Sequence, residues 1–312
     1  MRDRVMATGI LALALIVIVG LVVPRPRDMR QSTVITESIF YVQKTFADDQ
    51  ADMIILGDSR ALRGLAPAEM SASLPGLTIL NLAYNSGGLN NEMYDFGETR
   101  LAADSPRRAV VLAMTPLTLL DWKSTNGQYQ ETRSMDPDQV LLKLHAPQLA
   151  EFFAPWRSSD LVDLVKPLPR HKNYSLVYHG DGWLASGRTP ADTLEALRAY
   201  SHQLAGSTIA SQLIQDLETR IRRWTAEGIQ VFVVRMPCQP SMDALEDSML
   251  GFDQDDLQRR VEASGARWID VSRAGWKTYD GSHLDEGDAR RFSREFAREI
   301  AHSWTGPALS GS

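Results

Sequence analysis

Cysteine is nearly absent from this chain. Cys238 stands alone, which excludes an intrachain disulfide framework and any metal cluster built on thiolates. A basic excess is absent too: 33 Lys and Arg face 39 Asp and Glu, a net charge of −6. With no surplus of cations to neutralise phosphates, the composition argues against a dedicated nucleic-acid binder. No HExxH or comparable metal pattern occurs, and no residue set calls for a cofactor. Repeats are missing, and the one biased stretch is the tail from Gly306 to Ser312, expected to fray. Charge is missing from one further segment, Met6 to Val23, eighteen residues long. At 1.5 Å per residue it covers roughly 27 Å, close to a hydrocarbon core of about 30 Å. Arg2 and Arg4 precede it and Arg25 and Arg27 come after it, so flanking charge is nearly balanced. The expectation is a single-pass anchor in residues 1–30. A cleaved signal peptide is the rival, although no A-x-A-like site closes the run, and a buried core helix is the third reading.

Residues 31–305, beyond the anchor, read as one domain. Five apolar runs of strand length punctuate it: Met53–Leu56, Leu77–Leu82, Ala109–Ala113, Ile229–Val234 and Arg267–Val271. They are short, rich in β-branched residues and continuous rather than alternating, the pattern of strands covered on both faces. Helical spacing separates them. Leu194, Leu197, Leu204, Leu213, Leu217, Ile221 and Trp224 suit one helix face leading to the fourth run. A last helix is expected from Asp285 and Glu286, with Ala289, Phe292, Phe296 and Ile300 on one side. Strands alternating with helices predict an α/β fold, three layers α/β/α around a mostly parallel five-stranded sheet of flavodoxin-like type. Residues 117–190 break the rhythm, with several prolines and many aromatics. They read as an irregular insertion over the carboxyl edge of the sheet, its aromatics either a small core or a surface for sugar rings.

Two motifs carry chemistry. The first strand runs into Gly57-Asp58-Ser59. A serine there, on a tight turn made possible by Gly57, exposes its hydroxyl and leaves its backbone N–H free to steady an oxyanion. It would equally serve as a plain helix cap. Asp58 is expected to tie the turn by hydrogen bonds. Late in the chain comes Asp280-Gly281-Ser282-His283. An aspartate three residues before a histidine can hold imidazole Nδ1 and leave Nε2 to accept a proton. A solvated loop with a stray histidine is the bland alternative.

Together, Gly-Asp-Ser after the first strand and Asp-x-x-His before the last helix resemble the SGNH (GDSL-type) hydrolase superfamily. The resemblance implies Ser59 as nucleophile, His283 as base and Asp280 as its partner. It implies an oxyanion donor after the second strand, where Asn81 to Gly88 leave Ser86 or Gly87 in register, alongside Ser59 N–H. The family's Gly-x-Asn-Asp after the third strand is not present. Met114-Thr115-Pro116 stands there, with Thr115 as the residue able to offer a hydroxyl. One lost oxyanion donor costs on the order of 2.7–4 kcal/mol in the transition state.

That departure and the anchor resemble one branch of the superfamily, which includes the alginate O-acetylation proteins and the D-alanyl transfer protein of teichoic acid synthesis. The branch implies a domain on the periplasmic side of a bacterial inner membrane, a membrane-bound O-acyltransferase partner and a polysaccharide or other envelope polymer as substrate. Three expectations result: an anchored O-acyltransferase, an anchored esterase or deacetylase with the same triad, or a non-catalytic binding component of an envelope assembly.

Overall fold

The computed structural model describes residues 36–146 and 173–309. The expected anchor at 6–23 and Trp156 of the insertion lie outside the described residues. Among these residues no helix is long and apolar enough to cross a membrane.

Five parallel strands form the central sheet: β1 (Met53–Gly57), β2 (Ile79–Asn81), β3 (Ala109–Met114), and, after an antiparallel hairpin of β4 (Asn173–Tyr178) and β5 (Leu184–Thr189), β6 (Gln230–Arg235) and β7 (Arg267–Trp268). Their order is β2-β1-β3-β6-β7. All five fall within the predicted runs or overlap them. Every residue of β1 and β3 is buried, as continuous apolar runs require when helices cover both faces. Ile54 and Leu56 point at Gly97 of the helix Asn91–Arg100. Gly57 faces Ala61 of the helix Ser59–Gly64 on the other side. The last helix, Glu286–Ser303, begins at its Asp285 cap and buries Phe292, Phe296 and Ile300. Each such side chain contributes about 1.5–3 kcal/mol on leaving water.

Two expectations are corrected. The single helix expected from Leu194 to Trp224 is two helices, Glu195–Gln203 and Ser211–Ala226. Gly206 turns the chain at φ +80, and the linking segment pairs with residues 119–121 through Asp121 N–H to Thr208 O and Ala210 N–H to Leu119 O. These long-range amide bonds override the local periodicity. The insertion is less irregular than expected, with helices Gly127–Arg133 and Pro137–His145 and then the β4–β5 hairpin. Its strands lack a continuous apolar run, so pattern alone does not reveal them. Among the described residues its aromatics do not form a core of their own: the buried ones join the main core. Tyr129, Tyr178 and Trp183 are core; Tyr129 packs on Tyr84 and Phe96, and Tyr178 on Phe40. Trp122 is 44% exposed.

In this strand order β1 connects outward to β2 and the chain then crosses to β3 on the other side. The crevice at the carboxyl ends of β1 and β3 is therefore the topological switch point, where open parallel sheets hold ligands.

Candidate active site

The turn after β1 is built by close packing. A Cβ on Gly57 would lie 2.4 Å from the Ala113 carbonyl oxygen and 2.6 Å from Ala61 Cβ, so glycine lets helix and strands approach. Asp58 caps the adjoining helix, its Oδ1 accepting from Arg60 N–H at 2.8 Å. Its Oδ2 accepts from Thr115 Oγ1 at 2.6 Å, which ties the ends of β1 and β3 together. Thr115 is wholly buried and spends its hydroxyl on Asp58, so it supports the turn and does not reach an oxyanion. Ser59 opens the helix, half-buried, and its N–H has no hydrogen-bond partner among the described residues.

The second loop folds over this turn. Gly281 has φ +94, and a Cβ there would meet the Thr193 carbonyl oxygen at 2.1 Å. Asp280 Oδ1 accepts from the Ser282 and His283 N–H groups at 2.9 and 2.8 Å. Its Oδ2 lies 2.7 Å from His283 Nδ1, and His283 Nε2 lies 2.8 Å from Ser59 Oγ. Burial opposes charge on Asp280, but His283 and the two backbone donors hold its carboxyl well below the usual range. Burial lowers the His283 pKa, and the Arg63 cation lowers it further against the pull of Asp280. A neutral ring facing a carboxylate carries its proton on Nδ1, which leaves the Nε2 lone pair toward Ser59.

The loop after β2 lies beside the Gly57–Ser59 turn. Asn81 fixes it by donating from Nδ2 to the Ala61 and Leu65 carbonyls and accepting from Ala83 N–H. Ser86 has φ +52, the one positive value at a non-glycine among the described residues. Gly87 N–H already donates to the Tyr84 carbonyl at 3.1 Å. Ser86 N–H has no partner among the described residues, so of the two it is the free donor. A Cβ on Gly87 would lie 2.5 Å from the Gly57 carbonyl oxygen and 3.2 Å from Asn126 Nδ2, showing how tightly loop and turn are apposed. Lys123 donates from Nζ to the Ser86 carbonyl. Burial pushes its pKa down to about 8, with Asp58 acting in the opposite direction.

Three side chains here escape sequence reasoning, Arg63, Lys123 and Glu246, and a fourth, Arg60, departs from what its charge suggests in the sequence, contact with an acidic polymer or with solvent. Arg60 is neither solvated nor open to a polymer. It is 2% exposed, donates from Nε to Ser282 Oγ at 2.9 Å and pairs with Glu246, itself wholly buried. No local pattern joins residues 186 positions apart. Arg63 had a signal, because four residues after Ser59 it shares the same helix face. Its Nη1 lies 2.9 Å from His283 Nε2.

Cys238, Asp243 and Glu246 bring ligand atoms within 4.8 Å of one another. Their charge is already met, Glu246 by Arg60 and Asp243 by Arg235, and burial raises the Cys238 thiol far above its usual range. That donor set fits a packed ion-pair cluster better than a metal, which needs a thiolate and free carboxylates.

No protein-family model matches the chain, and no curated protein sequence matches it. Among solved structures the chain is similar to one from Streptococcus pneumonia described as a candidate platelet activating factor. The two share 8% identity over 85% of this chain and 88% of the other, with a TM-score of 0.37. A likeness at that level carries no argument about function.

Proposed function

We propose that this protein is a serine-dependent acyl-transfer enzyme, and that it acts as a membrane-anchored, extracytoplasmic O-acyltransferase on a hydroxyl of an envelope polysaccharide or related polymer. The observation that carries the chemistry is the hydrogen-bonded chain Ser59–His283–Asp280 at the carboxyl end of β1. In the first step Ser59 Oγ bonds to the acyl carbon while its proton passes to His283 Nε2. Ser59 N–H and Ser86 N–H are the groups free to receive the oxyanion. The bond from acyl carbon to the donor's oxygen then breaks, and His283 returns the proton to the departing alkoxide. A polymer hydroxyl reverses these steps and carries the acyl group away. The charge-free segment 6–23 supports the anchor, and the resemblance to the envelope branch supports the polymer and a membrane-bound acyltransferase partner.

Incubation of the full chain with an activated acetyl ester tests this reading, with Ser59→Ala and His283→Ala alongside and intact mass and free acetate followed in time. A Ser59-dependent acetyl adduct that persists and drains into added glycan is the expected result. Rapid Ser59-dependent acetate release that glycan cannot divert would replace transfer with hydrolysis. No Ser59-dependent adduct or release would remove the enzyme reading altogether.

A further inference from the structure

Arg63 is the anomaly of this site. Its guanidinium reaches the imidazole nitrogen that also meets Ser59, 2.9 Å from one and 2.8 Å from the other. An arginine is always charged and only donates, so Arg63 and the Ser59 hydroxyl share the single Nε2 lone pair. A cation beside a general base disfavours the imidazolium that catalysis must form. The position is therefore a cost unless something else offsets it.

Nothing among the described residues does so. Arg63 is half-buried, forms no ion pair with any of them, and its Nε is buried without a hydrogen-bond partner. Asp280 lies across the ring, occupied with Nδ1 and two backbone donors. Glu37 acts on Tyr41 and Tyr178, as Arg63 does, but makes no ion pair with Arg63. Three buried arginines are matched by carboxylates: Arg60 with Glu246, Arg220 with Asp95 and Glu98, Arg235 with Asp243 and Asp247. A fourth, Arg100, gives its Nε and Nη1 to the Asp49 and Lys44 carbonyls, whereas the Arg63 Nε has no acceptor among the described residues. Tyr41, whose phenol feels the Arg63 charge, is met by neutral polar side chains. Asn85 donates to the Tyr41 hydroxyl at 2.9 Å, and Asn85 Oδ1 and Gln128 Oε1 are buried without partners. A half-buried guanidinium at a reaction centre, paired with no carboxylate among the described residues, is built for an anion from outside.

The chemistry also says where that anion lies. The group that hydrogen-bonds Nε2 once Ser59 is acylated is the departing or incoming alcohol, since His283 must exchange a proton with it. Arg63 occupies that same side of the imidazole. We infer that Arg63 is a specificity residue that binds a carboxylate carried by the alcohol partner of the ester, such as the carboxylate of an acidic sugar. Its planar fork suits a carboxylate. In binding it, the guanidinium leaves Nε2, so the right alcohol frees the base as it arrives. A neutral alcohol leaves Arg63 competing with Ser59. This rests on the acyl-transfer reading above and adds to it the charge of the substrate and the side on which that charge sits.

The test uses two esters that differ in one charge: 4-acetoxy-3-nitrobenzoate, whose leaving phenol carries a carboxylate, and its methyl ester. Ser59 acetylation in the full chain is followed by phenolate release and by intact mass, and each rate is divided by the ester's spontaneous hydroxide rate. The wild type is expected to favour the carboxylate ester about tenfold or more, the scale of one charge-assisted contact. Arg63→Gln should lose that preference and acylate the neutral ester faster than wild type does, because Nε2 is released. Arg63→Lys, which keeps the charge without the fork, should retain part of the preference. Equal normalised rates in the wild type would overturn the inference. So would a preference that survives Arg63→Gln, or an equal loss on both esters, which would mark Arg63 as structural. Absence of any Ser59-dependent burst with either ester would instead overturn the acyl-transfer reading itself.

Discussion

Replacing Glu246 with alanine strips the buried Arg60 of its counter-charge. Arg60 is 2% exposed, and its Nη1 and Nη2 both donate to Glu246 while Nε donates to Ser282 Oγ. After the substitution one cation stays in the interior with a single remaining partner. Breaking a buried pair from one side costs about 3–5 kcal/mol. With a urea m-value of about 3 kcal/mol/M, the unfolding midpoint should fall by about 1–2 M. Removing both charges in Arg60→Leu/Glu246→Leu should recover most of that loss, because the desolvation cost disappears with the pair. Urea titrations of the full chain, read by circular dichroism, supply both numbers. The double variant also separates stability from positioning. Ser282 donates its N–H to Asp280 Oδ1, so losing the Arg60 anchor on its side chain should slow Ser59 acylation even where the fold is restored. A single variant within about 1 kcal/mol of wild type would refute the reasoning, since that is the scale of an exposed pair. A double variant no more stable than the single would refute it too.

Three further outcomes are expected. Asp280→Asn keeps an acceptor for the two backbone N–H groups but presents an amide to Nδ1, so the ring moves its proton to Nε2 and can no longer accept from Ser59; single-turnover acylation should fall by about 10⁴ with little change in stability. The acid limb of the acylation pH profile should lie below the ordinary histidine value of 6.5, because burial and then Arg63 lower the His283 pKa. Activity is lost as pH falls through that value, and Arg63→Gln should move the limb upward, whereas a wild-type limb above 6.5 would contradict the neutral buried base. Gly57→Ala forces a Cβ to 2.4 Å from a backbone oxygen, so denaturant titration should show a loss of about 1–3 kcal/mol from overpacking, with Ser59 displaced and acylation slowed.

Much of this molecule is written in local sequence. Met53–Leu56 and Ala109–Ala113 announce buried parallel strands because strands covered on both faces must be apolar throughout. Asp285 ahead of an amphipathic run marks the last helix because its carboxylate satisfies an end N–H. Gly57-Asp58-Ser59 and Asp280-Gly281-Ser282-His283 are each legible because they make local hydrogen bonds that depend on their own residue types, Asp58 to Arg60 N–H and Asp280 to Ser282 and His283 N–H. Their pairing across more than two hundred residues is implied by the resemblance to a known superfamily and by no local rule.

What sequence could not decide depends on distance through space. The break at Gly206 is set by amides of residues 208 and 210 meeting residues 119–121, a contact that helical spacing does not encode. Sequence left Ser86 and Gly87 equivalent, and the fold distinguishes them, because the Tyr84 carbonyl takes Gly87 N–H and leaves Ser86 N–H without a partner among the described residues. Arg60 reads as a surface cation until Glu246 closes on it. Arg63, legible as a neighbour of Ser59 on one helix face, gains its meaning from the His283 loop 220 residues later. Local chemistry therefore determined the strands, the caps and the motifs. Only the tertiary fold decided which charges are paired inside, and which guanidinium is left facing the His283 imidazole, because electrostatic worth depends on burial and partners that no stretch of chain carries alone.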